Sequence, residues 1–201
     1  MRKLTFFAVA CAMLLLVPSM FAAACPDATG SSVSGSYTSG GAGCNVVITF
    51  NANGSITTTI PNANPYDGVE DTLVGVVNNT ASAIASFNLS SSSNSQLFGF
   101  DGDGACEAGG GIYESVANCT GAIDTNGYGG PGVTFSGING ALTSGTVNFA
   151  GGIAAGGTAW FSLEEPPSLS LVVNGVPEPA SLLLLGTGLL GLGFTRLRRR
   201  K

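Results

Sequence analysis

Between residues 25 and 176 this chain carries eleven of its twelve carboxylates and no lysine, arginine or histidine. The seven cations are Arg2, Lys3, Arg196, Arg198, Arg199, Arg200 and Lys201, and Glu178 is the one acid outside the stretch. No acid of this body can pair with a basic side chain of the same body. Each must be solvated, hydrogen-bonded, protonated or neutralised by a metal ion. The same fact excludes function classes. Nucleic-acid binding has no cation with which to neutralise phosphate. Ser-His-Asp and Cys-His catalysis lack their base, and zinc sites lack imidazole ligands.

The cations mark two terminal segments. Arg2 and Lys3 precede the apolar run Leu4 to Val17, and Ala22-Ala23-Ala24 follows. That order predicts a signal peptide over residues 1–24, using signal peptidase and the Sec translocon. Cleavage after Ala24 would place Cys25 first. Acylation of Cys25, as in a lipoprotein, is the competing reading. Ala22 stands where such signals favour leucine, so the ordinary secretory signal is preferred.

At the other end, Val176-Pro177-Glu178-Pro179-Ala180 leads into an apolar run ending at Phe194, and then into Arg196-Leu197-Arg198-Arg199-Arg200-Lys201. The two prolines hold the chain extended and stop a helix from running upstream. Ala180 to Phe194 as helix would span roughly 22 Å, short against a hydrocarbon core of about 30 Å. The arginines can snorkel, and the positive-inside rule keeps them cytoplasmic. One C-terminal transmembrane helix in the inner membrane is expected. This three-part tail resembles the PEP-CTERM sorting signal. The resemblance implies that residues 177–201 are read by the membrane protease exosortase. Pro177, Glu178 and Pro179 would be the recognition residues, and Arg196, Arg198, Arg199 and Arg200 the basic flank.

The body, residues 25–176, is the size of one domain. It reads as all-β, an antiparallel β-sandwich, because apolar residues alternate in short runs between Gly, Asn and Ser turns. Asn45 to Ile60 predicts a hairpin turning at Asn53-Gly54, with Val46, Ile48 and Phe50 on one face and Ile56, Thr58 and Ile60 on the return strand. Further strands are expected at Leu73–Val77, Ala83–Ser90 with Ala85, Phe87 and Leu89 inward, Leu97–Phe100, Val133–Ile138, Thr146–Phe149, Thr158–Leu163 and Leu169–Val173. Cys11 leaves with the signal peptide. The remaining Cys25, Cys44, Cys106 and Cys119 allow three pairings. Cys25–Cys44 and Cys106–Cys119 are favoured, since each closes a loop rich in Gly and Ser.

Two acidic clusters stand out: Asp67-Gly68-Val69-Glu70-Asp71, and Asp101-Gly102-Asp103-Gly104. Carboxylates on glycine-shaped loops are what calcium prefers, since it takes six to eight oxygen ligands. Asp67, Glu70, Asp71, Asp101 and Asp103 are the candidate ligands, and calcium the candidate cofactor. Ala105 and Ile112 occupy ligand positions of an EF-hand, so no EF-hand is present. The alternative is that both clusters are solvated surface loops. Tyr66 to Gly75, Phe98 to Gly104, Gly127 to Phe135 and Ala159 to Glu164 also resemble segments that recur in the ectodomains of PEP-CTERM proteins. That resemblance implies a structural or adhesive role in an exopolysaccharide or biofilm setting, with no established activity. Paired carboxylates would suffice for a glycosidase. The chain has one tryptophan, Trp160, and shows no aromatic groove pattern, so catalysis is not expected. A calcium-dependent carbohydrate-binding module is the alternative to a purely structural role.

Overall fold

The computed structural model describes residues 24–25, 43–106, 119–122, 126–165 and 171–174. The signal peptide expected over residues 1–24, Ala24 apart, and the transmembrane helix expected in the tail lie outside the described residues. Eight strands are present: β1 (Val46–Phe50), β2 (Ile56–Thr59), β3 (Thr72–Asn78), β4 (Ile84–Ser91), β5 (Val133–Ser136), β6 (Ser144–Ile153), β7 (Thr158–Leu163) and β8 (Leu171–Asn174). They form two four-stranded sheets, ordered β2-β1-β3-β7 and β5-β6-β4-β8. One buried cluster draws on both sheets: Val46, Ile48, Phe50, Val74, Val76 and Phe161 from the first, and Ile84, Phe87, Leu89, Val133 and Val147 from the second. Phe87 lies at its centre, with ring centroids 5.3 Å from Phe50, 5.7 Å from Phe149 and 6.4 Å from Phe161.

The β1–β2 hairpin forms as its sequence requires. Phe50 pairs with Ile56, and Gly54 takes a φ of 84°, which a Cβ would strain. Its return strand is an edge strand, however. Thr58 and Ile60 are exposed, so the alternation there does not mark an inward face. The sheets are also not wholly antiparallel. β1 and β3 run parallel, with Ile48 opposite Val76, and only the second sheet is antiparallel throughout. A parallel neighbour needs a long crossover, and residues 51–71, β2 included, supply it.

Two further expectations are corrected. Leu97–Phe100 is a turn: Gly99 N–H donates to the Gln96 carbonyl, while Leu97 and Phe98 are buried without sheet pairing. Ala85 points outward because the β4–β6 register shifts between Ile84 and Ser86. Gly151 and Gly152, at φ 77° and 76°, let β6 bulge there, which turns Ile84 as well as Phe87 inward.

The outer face of the first sheet carries a second buried cluster of Ala24, Cys25, Cys44, Tyr66, Leu73, Ala105 and Trp160. Cys25 bonds to Cys44, and Cys106 to Cys119, the pairing favoured from the sequence. A Cβ on Gly75 would overlap Cys44 Sγ and lie 2.7 Å from Ala24 Cβ, so the strand admits the cystine only because residue 75 has no side chain. The Sγ of Cys25 is engaged and the residue fully buried, which argues against its acylation.

Candidate functional site

The start of β3 and the end of β7 bring the acidic segments together. Thr72 pairs with Leu163, so Asp71 and Glu164 flank the same register position. Asp71 is buried at 1% exposure. Its Oδ2 accepts a 2.6 Å hydrogen bond from the Tyr66 hydroxyl, which is itself buried. The loop before it is held by Asp67, whose Oδ1 accepts from the backbone N–H groups of Val69, Glu70 and Asp71 at 3.0, 3.2 and 3.1 Å. Thr72 Oγ1 donates to the Glu165 carbonyl, tying the two strand ends.

Tyr128 occupies the middle of the group. Its hydroxyl lies 2.5 Å from Glu164 Oε2, 2.7 Å from Asp103 Oδ1, 3.2 Å from Asp101 Oδ1 and 3.5 Å from Asp71 Oδ1. The phenol is placed by its backbone: its carbonyl accepts from Ser162 N–H at 2.8 Å, and its ring stacks on Phe100 with centroids 4.5 Å apart. Gly104 lies against the backbone of Gly127 and Tyr128, too close for any Cβ. The two glycines of Asp101-Gly102-Asp103-Gly104 thus serve conformation and contact, Gly102 at φ 106° and Gly104 by close approach.

A phenol donates one proton, so it can satisfy one carboxylate at a time. Four carboxylates around it, with no basic side chain anywhere in 25–176, leave an uncompensated concentration of negative charge. Burial raises the Asp71 carboxyl to about 8, with Asp103, Asp67 and Glu164 adding repulsion against the Tyr66 hydrogen bond. Burial likewise raises Glu164 and Asp103. Asp101 is exposed and is held below its ordinary value, chiefly by a hydrogen bond with Asp103. Burial and the neighbouring carboxylates push both tyrosine hydroxyls upward, so they stay protonated donors.

Carboxylate oxygens of Asp71, Asp103 and Glu164 lie within 4.8 Å of one another, and so do those of Glu70, Asp101 and Glu164. This donor set is all carboxylate oxygen, the set that suits a hard divalent cation. Four of the five candidate ligands, Glu70, Asp71, Asp101 and Asp103, therefore converge. Asp67 belongs to neither group and acts as a loop cap. Glu164 and Tyr128 escaped the sequence reading. Their signals were faint, an acid closing a strand and a tyrosine among glycines, and only strand register joins them to residues 67–103.

The described part of the molecule is thus a two-sheet, all-β body with one carboxylate-rich end. The chain carries the PEP-CTERM protein-sorting motif, whose family model matches residues 175–200. No curated protein and no solved structure matches the chain.

Proposed function

We propose that this is an exported cell-envelope protein, carried across the inner membrane by the Sec translocon and trimmed by signal peptidase. Exosortase then processes it at Pro177-Glu178-Pro179. The apolar run beyond them holds the precursor in the membrane, and the flank Arg196, Arg198, Arg199 and Arg200 fixes its orientation. The body serves a structural or adhesive role at the cell surface or in the extracellular matrix, in contact with exopolysaccharide. The match of residues 175–200 to the sorting motif carries this reading. The two disulfides support it, since cystines belong to oxidising compartments. Replacing Pro177, Glu178 and Pro179 together by alanine should leave the protein in the inner membrane of exosortase-positive cells. Unaltered processing of that variant would refute the proposal.

A second reading is favoured by the four carboxylates around Tyr128. In it, Asp71, Asp101, Asp103 and Glu164, with Glu70 beside them, hold calcium, and the body binds carbohydrate in a calcium-dependent way. The ion would supply the positive charge the body lacks. Glycan-array binding lost on chelation supports this reading; equal binding, or none, with and without calcium rejects it.

A further inference from the structure

Among the described residues, the two ends of the body differ in charge, and β8, the last described strand, runs toward one of them. All seven described carboxylates lie at the end marked by the start of β3 and the end of β7. Asp71, Asp101, Asp103 and Glu164 surround Tyr128, and Glu70 lies with Asp101 and Glu164. Asp67 caps the adjoining loop, and Glu165 accepts from Gln96 N–H. At the opposite end the described residues form three loops: 51–55 of the hairpin, 79–82 and 154–157. Asn78 ties them together: its Nδ2 donates to the carbonyls of Ser82, Ile153 and Ala154, and Asn79 N–H donates to the Phe50 carbonyl. Their side chains are Asn, Ala, Ser, Thr or Gly, with no charge among them. Thr72 to Asn78 runs from one end to the other, about 20 Å at 3.3 Å per residue.

β8 pairs with β4 through Ser91–Leu171 and Asn88–Asn174. Ile84, at the start of β4, pairs with Ile153 beside the uncharged loops. β8 therefore runs away from the carboxylates and toward the neutral end. From Asn174 to Ala180, where the apolar run begins, there are six residue steps, a reach of at most about 21 Å. Folding back past β8 would need a reversal of direction, though not a longer reach, because Asn174 stands opposite Asn88, midway along β4. It would also press seven carboxylates against anionic lipid, with no cation in the body to offset them.

We propose that the membrane-tethered precursor stands with the loops 51–55, 79–82 and 154–157 against the lipid surface and its carboxylates pointing away. The neutral end is a lipid-apposed face, and the carboxylate end is left open to soluble ligands. The inference rests on the sorting tail being a membrane tether. The test uses the full chain, made in cells without exosortase and reconstituted into vesicles containing anionic lipid. A single added cysteine, Asn53→Cys on the hairpin loop or Val69→Cys on the acidic loop, carries a fluorophore, and the acceptor sits on the lipid headgroups. Both sites are exposed, so both variants leave the core intact. Energy transfer should be clearly stronger from position 53. Flotation with the vesicles but equal transfer, or stronger transfer from 69, overturns the orientation while the tether stands. Failure to float with the vesicles overturns the tether, and the orientation falls with it.

Discussion

Asp71 lies one residue before β3, buried, with Tyr66 as its close hydrogen-bond donor. Its folded-state value, about 8, exceeds the ordinary unfolded value, so the native state retains a proton that the unfolded chain releases. Stability is then fullest below about pH 4, declines as pH rises toward 8, and levels off beyond. The limiting slope for one proton is about 1.4 kcal/mol per pH unit. Urea midpoints measured in chelator from pH 5 to pH 8 should fall, and Asp71→Asn should flatten that fall. A midpoint independent of pH in the native sequence would show that Asp71 is ionised in the folded protein over that whole range. Tyr66→Phe keeps the ring and removes the donor to a buried acid. It should lower stability by about 1–3 kcal/mol in the same assay at neutral pH.

At the scale of elements, β3 is the strand on which everything depends. Its inward face gives Val74 and Val76 to the main core, while its outer face gives Leu73 and Gly75 to the cystine-covered cluster. Gly75→Ala forces a Cβ into Cys44 Sγ and Ala24 Cβ, and overpacking of that kind costs about 1–3 kcal/mol. Thermal unfolding should show the loss with both disulfides intact. If the Cys25–Cys44 bond is reduced, the same substitution should become nearly silent, because the colliding atoms are free to move. Here the sequence was legible in part. Strand existence followed from alternation, as at Val46, Ile48 and Phe50, and the hairpin from Asn53-Gly54. The parallel β1–β3 pairing was hidden, because pairing partners are fixed by long-range packing and leave no local pattern. The β6 bulge at Gly151-Gly152 was hidden too, and with it the reversal of Ala85, since alternation presumes an unbroken register. Leu97 and Phe98 misled for a related reason: buried apolar residues in a turn look like strand when their backbone partners are unknown. Within the site, Asp71, Asp101 and Asp103 were visible as clustered acids, whereas Glu164 joins them through the β3–β7 register and Tyr128 through the bridge between Gly129 and Phe161.

For the whole molecule, the decisive property is that the described carboxylates gather at one end with no basic side chain in the body to answer them. Self-repulsion of this kind is sensitive to ionic strength: the Debye length falls from about 30 Å at 0.01 M salt to about 3 Å at 1 M. The native state concentrates Asp67, Glu70, Asp101, Asp103, Glu164 and Glu165 around one site, whereas the unfolded chain spreads them along 99 residues of sequence, 67 to 165. Adding sodium chloride at pH 8 should therefore raise the unfolding midpoint steadily. A divalent cation that fits between the carboxylates should do the same at far lower concentration, by binding the native state alone. The two effects separate by titration. A calcium response that saturates at micromolar to millimolar concentration, and is lost in Asp103→Asn, marks a bound ion. A response matching that of magnesium and of sodium at equal ionic strength marks screening alone. If salt leaves the midpoint unmoved at pH 8, the carboxylates around Tyr128 must keep enough protons to cancel their repulsion. The native state would then meet its charge by protonation, and the calcium reading would have lost its physical basis.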